Sequence, residues 1–153
     1  MTDPDYVKEL EQIRAAYVGS LPRQRLNVIS QRLANPTHGP NLLVTYVSAV
    51  EALSRSLAMH ANGRTKDQLK QLYARYRDRE VKSLITEFLS SCGHNSPSVF
   101  FGPDTWRKFG YAVSYRNMLV HECTYLGQDK YPQLHQACQD VLDKLTGLAG
   151  IAK

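Results

Sequence analysis

The amino-acid sequence predicts an all-α protein, an antiparallel bundle of about five to seven helices, and three observations carry that reading. Apolar residues recur at helical spacing over most of the 153 residues. No segment alternates apolar and polar residues at the two-residue period of a half-buried strand. Glycine, proline and asparagine clusters interrupt the helical stretches, but no repeat or low-complexity linker divides them. Residues 1–153 therefore read as one domain, long enough to bury a core.

Asp3-Pro4 opens a first helix with Tyr6, Leu10, Ile13 and Tyr17 along one face, and Gly19 and Pro22 punctuate its end. A second helix fits residues 22 to 34 through Leu26, Ile29 and Leu33, and the turn formers of NPTHGPN, 35 to 41, read as a loop. The third helix, 41 to 61, is the most regular. Leu42, Tyr46, Ala49, Val50, Leu53 and Leu57 share one arc at about 100° per residue, and Gly63 supplies a stop. Thr65 is placed to cap a fourth helix bearing Leu69, Leu72, Tyr73 and Tyr76. Its basic stretch KQLYARYRDR suits either an RNA backbone or, more simply, a solvated face whose tyrosines pack inward. A shorter apolar segment, VKSLITEFL, follows. CGHNSPSVFFGPD, 92 to 104, is the longest region without helical character. A long helix of 104 to 126 comes next, then a last one of 132 to 148 with Leu134, Ala137, Val141, Leu142 and Leu145.

Composition narrows the class. The chain is 42% apolar and 22% charged, with a net charge of +5, which permits a polyanionic partner without requiring one. No run approaches the roughly 18 consecutive apolar residues of a membrane span. MTDPDYVKEL is acidic and amphipathic, unlike a signal peptide. The odd cysteine count, Cys92, Cys123 and Cys138 with no paired spacing, favours a reducing compartment, so a cytoplasmic location is expected. Together with His94 and His135 these cysteines include zinc-capable ligands, but no Cys-x2-Cys pair exists, and neither a metal nor another cofactor is expected.

The chemistry-bearing stretch is YRNMLVHE, 115 to 122. On a wheel of the 104–126 helix, Trp106, Phe109, Ala112, Val113, Val120 and Cys123 form one apolar arc, and Arg116 falls inside it. Asn117 and His121, at i and i+4, share a face at its edge. An arginine so placed needs an acidic partner, a phosphate or a groove that admits water. Eleven arginines and five histidines give about 0.4 Arg-x4-His pairs by chance, and an asparagine directly after the arginine lowers this to about 0.01. The second such pair, Arg55 with His60, has Ser56 in that place. Its Arg55 stands i+4 from Glu51 and reads as a solvated ion pair.

RNMLVH, late in a small helical chain, resembles the signature of the HEPN superfamily (higher eukaryotes and prokaryotes nucleotide-binding): an arginine, a polar residue that is often asparagine, and a histidine four to six positions after the arginine. Arg116, Asn117 and His121 match it residue by residue. The resemblance implies a metal-independent endoribonuclease, with RNA as substrate and the motif helices of a homodimer meeting. It also implies a place as toxin or defence effector, with an antitoxin-type nucleotidyltransferase as the partner to look for. His121 would move protons, Arg116 would hold the phosphate, and Asn117 would orient either. Glu51, if the third helix lies beside the motif helix, and Tyr125 are the candidates for substrate contact. Some toxin members carry a tyrosine two residues after the histidine, whereas this chain has Cys123 there. The resemblance equally admits a non-catalytic module that binds RNA, a nucleotide or a protein. A plain helical scaffold, with Arg116 bridging two helices, is the third reading.

Overall fold

Helix α3 (Pro40–Asn62) is the axis of the computed structural model, which describes residues 4–34, 40–121 and 128–151. Before it come α1 (Pro4–Gly19) and α2 (Pro22–Ala34). After it come α4 (Lys66–Tyr76), α5 (Val81–Ser91), α6 (Pro97–Phe101), α7 (Pro103–His121), a 3-10 turn (Gln128–Lys130) and α8 (Tyr131–Ala149). Among the described residues there is no strand, so the all-α bundle holds. Those residues form eight α-helices rather than five to seven. The additional one is α6, inside the segment expected to lack helix. Its start is encoded in Ser96-Pro97: the Ser96 hydroxyl accepts from the Val99 N–H at 3.3 Å, and proline fits a first helical turn, where its missing N–H costs nothing.

Burial explains the arrangement. α3 packs against α2, α4, α5, α7 and α8, and Leu43, Val47, Val50, Leu53, Leu57 and Met59 are buried along it. Small residues at Ala49, Ser54, Ser56 and Ala58, also buried, let neighbouring helices approach closely. Residues Asn41–Asn62 are long and apolar enough to match a bilayer by length and composition, but 56% of that window is buried inside the bundle, as befits its core helix. The predicted face of α8 is buried in full: Leu134, Ala137, Val141, Leu142 and Leu145.

Helix ends follow the local chemistry. Thr65 caps α4 reciprocally: its hydroxyl accepts from the Gln68 N–H at 3.2 Å, and its own N–H donates to Gln68 Oε1 at 3.1 Å. Gly102 separates α6 from α7 at φ +95°, a conformation that L side chains rarely adopt. Past it, Phe101 stacks on Trp106 at 5.4 Å, Trp106 on Phe109 at 5.8 Å, and Lys82 lies 5.0 Å from the Trp106 ring. This aromatic ladder fixes the N-terminal half of α7. The tyrosines of the basic stretch do turn inward. Tyr76 is buried and donates to Glu87 at 3.2 Å, and Tyr73 meets Tyr17 edge-on at 5.8 Å.

Three expectations need correction. Leu10 and Ile13 are 51% and 58% exposed, because α1 packs mainly against α4 and leaves that face open. Val120 is 55% exposed. The apolar arc of α7 holds at Phe109, Ala112 and Val113, but toward its C-terminal end the core covers only part of Tyr115 and Leu119. Arg55 is not solvated, since the bundle covers most of its side chain. The loop expected at 35–41 falls largely on residues outside those described, as do residues 122–126 of the motif helix with Cys123 and Tyr125.

Two half-buried histidines make stability depend on pH. His135 stacks on Tyr46 at 5.3 Å, and burial lowers its pKa; burial likewise lowers that of His60. A histidine whose folded pKa is depressed binds its proton more readily in the unfolded chain, so stability is full above the ordinary pKa of about 6.5 and is lost as pH falls through it. The thermal midpoint should therefore drop between about pH 7.5 and 5.5. His135→Phe, which keeps the stacking ring, should make that drop smaller; an unchanged drop would remove His135 from the account.

Candidate active site where α7 meets α3

The motif lies on the last turns of α7. Arg116 turns inward, its side chain 18% exposed, while Asn117 and His121 stand on the exposed face. The arginine has the partner that its place on an apolar arc demands. Its Nη1 donates to Glu51 Oε2 on α3 at 3.1 Å, and its Nε donates to Asn117 Oδ1 at 2.9 Å. α3 thus lies beside the motif helix, and Glu51 joins the constellation. Tyr125, the other candidate for substrate contact, lies outside the described residues.

Glu51 is shared. Its Oε1 accepts from Arg55 Nη2 at 3.3 Å, and the Arg55 side chain is only 14% exposed. The expectation of a solvated pair fails because the bundle covers most of both side chains, leaving 14% of Arg55 and 24% of Glu51 exposed. Arg55 lies 5.9 Å from the Tyr17 ring, and Arg25 of α2 stands 4.7 Å from the same ring. Burial pushes the Tyr17 hydroxyl up in pKa, against the lowering influence of Arg55 and Arg25, and that hydroxyl donates to the Ala52 carbonyl at 2.6 Å. Two guanidiniums on one carboxylate, with a third nearby, leave this part of the bundle positively charged. Such a field favours an anion.

The geometry leaves Arg116 with chemical capacity to spare. A guanidinium carries five N–H donors in a planar fork, and among the described residues two of them are engaged. Asn117 links the inward arginine to the outward face that carries His121. An exposed imidazole and a half-covered guanidinium on adjacent turns can move a proton and hold a phosphate. The zinc-capable residues are differently employed. His94 packs against Phe100 at 4.8 Å, Cys92 is exposed, and Cys138 is fully buried, its thiol pushed up to about 12. Among the described residues no three metal-ligating side chains gather.

Clefts lie elsewhere. One of about 270 Å³ between α2 and α3 is lined by Arg25, Thr45 and Ser48 among others. Another of about 560 Å³ between α1 and α4 includes Arg14, Lys66 and Tyr73. A third, about 240 Å³, separates α7 from α8 and is rich in cations and tyrosines. Arg116, Asn117 and His121 line none of them. Sequence reasoning missed this third cleft, although Arg107, Tyr111 and Tyr115 fall at the i, i+4, i+8 spacing that aligns side chains along one helix face.

If Glu51 holds Arg116 in place, its charge should matter to the fold. Glu51→Gln should lower unfolding free energy by about 1–3 kcal/mol, because two half-buried guanidiniums then face each other. The loss should shrink when Arg116→Met is already present. Urea unfolding of the two single variants and the double variant measures the coupling. Additivity within about 0.5 kcal/mol would mean that the pair contributes nothing of its own.

Neither a family model, nor a curated protein, nor a solved structure matches this chain.

Proposed function

We propose that the protein is a metal-independent endoribonuclease of HEPN type, with Arg116, Asn117 and His121 as its catalytic residues. The observation that carries this reading is the state of Arg116: fixed by Glu51 and Asn117, yet keeping, among the described residues, N–H donors beyond the two those partners engage, with an exposed His121 five residues on. In the reaction, one His121 takes the proton from a ribose 2′-hydroxyl. The 2′-oxygen attacks the adjacent phosphorus, and the bond to the 5′-oxygen breaks. A 2′,3′-cyclic phosphate forms, and the leaving 5′-oxygen takes up a proton and departs as a hydroxyl. Arg116 binds the phosphoryl oxygens as charge grows on them. Because the nucleophile belongs to the substrate, the step requires no metal-activated water.

Purified protein should cleave single-stranded RNA in EDTA, leaving those ends. His121→Ala should lose roughly 10²- to 10⁴-fold in rate. Arg116→Ala should be severely impaired, and Asn117→Ala should fall between these and the wild type. Activity that needs added metal, or that survives His121→Ala unchanged, would refute the mechanism.

A single motif lacks a second acid–base group, which a symmetry mate's His121 supplies in a two-fold dimer. Met118 and Val120, 44% and 55% exposed, lie within the motif between Arg116 and His121, and each offers such a contact an apolar side chain. Sedimentation at tens of micromolar should show a dimer, and Val120→Glu should weaken both association and cleavage. A wild-type monomer that still cleaves would overturn the shared site. In a cell, the reading places such an enzyme as a toxin or defence effector, held in check by an antitoxin-type nucleotidyltransferase.

The Arg116–Glu51 bridge also favours a second reading, a non-catalytic HEPN-like module that binds RNA, a nucleotide or a protein, because the bond holds two helices together whether or not RNA is cut. RNA binding without cleavage in the same assay selects it.

A further inference from the structure

The cleft between α7 and α8 stands apart from the motif. Arg107, Lys108, Tyr111 and Tyr115 of α7 line one side, and Lys130, Gln133 and Leu134 line the other. Tyr111 is 55% exposed, a large aromatic face left to solvent, and Tyr115 lies one turn further along the same side of the helix. Three cations line the same cleft as these rings. Each has an acidic neighbour: Asp104 pairs with Arg107 at 2.6 Å and with Lys108 at 3.1 Å, and Asp129 pairs with Lys130 at 3.3 Å. Neither carboxylate lines the cleft. These pairs are exposed, so they hold the cations only weakly against a better anion.

The start of α8 adds to the field. Lys130 is its N-cap, in αR conformation and without a side-chain capping hydrogen bond. The 19-residue helix therefore presents the positive end of its dipole beside Gln133 and Leu134, where anions bind well. The volume, about 240 Å³, lies below the roughly 300–1,000 Å³ of pockets that enclose a drug-sized ligand. It suits one flat ring with an anionic group at its edge, the rest of the ligand remaining in water. A ring system joined to phosphate is a nucleotide, and base stacking on an aromatic side chain beside cations is how proteins hold single strands.

We propose that this cleft binds one nucleotide unit, its base stacked on Tyr111 and its phosphate among Arg107, Lys108 and Lys130. The unit is either a free nucleotide or one residue of a single strand; both offer the same ring and phosphate. The binding does not depend on cleavage, so it can hold or fail separately from the ribonuclease reading.

The test measures binding by fluorescence anisotropy with two probes: a labelled adenosine monophosphate, and a labelled 2′-O-methyl RNA pentamer that lacks the attacking hydroxyl. The wild type should bind at least one of them. Tyr111→Ala should weaken that binding roughly tenfold or more, and Tyr111→Phe, which keeps the ring, should restore it. Lys130→Gln should weaken it too. For the pentamer, it should also make the salt dependence shallower, by about 0.7 in slope for each phosphate that the lysine neutralises. Lys66→Gln, in the α1–α4 cleft, removes the same charge elsewhere and should change little. Binding of the monophosphate identifies a free-nucleotide site, and binding of the pentamer alone identifies a track for a strand. Wild-type binding of neither probe overturns the proposal. So does binding that Tyr111→Ala leaves intact, or that Lys66→Gln weakens as much as Lys130→Gln does. Tyr111 and Lys130 are exposed, and circular dichroism of each variant verifies that the fold is kept.

Discussion

Glu51 is the constraint on which the site depends. α3 packs against five helices and the Glu51 side chain at its middle is mostly covered, so its charge is neutralised from within the bundle. Arg55 does so from one turn away on the same helix, and Arg116 does so from α7. The second bond fits the rotation of α7 that the burial of Phe109, Ala112 and Val113 also imposes. With Arg116 turned in, Asn117 stands about 100° around the helix and His121 about 140°, which carries both to the outer surface. The exposed face of the motif thus follows from apolar burial and charge pairing together.

The other end of α7 is fixed by different forces. Phe101, Trp106 and Phe109 form a stacked ladder with the Lys82 ammonium over the middle ring, and Gly102 permits the sharp entry into the helix. Dispersion and burial hold the first turns, and charge pairing holds the last. Between them the helix presents Arg107, Tyr111, Ser114, Met118 and His121 at successive three- and four-residue steps. All are exposed, so one continuous outward stripe joins the α7–α8 cleft to the motif. Proximity of this kind comes from helical periodicity, not from a loop folded over a pocket.

Most of the fold was legible because burial and periodicity agreed. The arcs of α3 and α8 are legible in Leu53, Val50, Leu134 and Val141, since those helices are packed along their whole length. Periodicity failed where a helix has too few neighbours, at Leu10 and Ile13 of α1 and at Val120 of α7. It failed in the opposite sense at Arg55, where a face that looked polar is covered. α6 went unseen because five residues are too few to show a helical period, although Ser96-Pro97 marked its start. Arg116 was legible as an anomaly, and the three possible remedies could be stated from sequence. Only the contact between α3 and α7 selects the acidic one, because residues 51 and 116 are 65 apart in the chain.

That selection leaves room for the catalytic role proposed for Arg116. A lysine in its place would have three rotatable donors on one nitrogen at the end of a flexible stem, with no fixed fork. The guanidinium's rigid fork addresses partners in different directions at once. Among the described residues two of its donors are committed, one to Glu51 and one to Asn117. In the proposed mechanism a phosphate would meet the remaining donors of a guanidinium that these two bonds already hold in place, with little reorganisation left to do. Preorganised charge of that sort is what stabilises a developing phosphorane. The structural bond and the proposed catalytic one therefore use different donors of the same side chain, and the first is what holds the second ready.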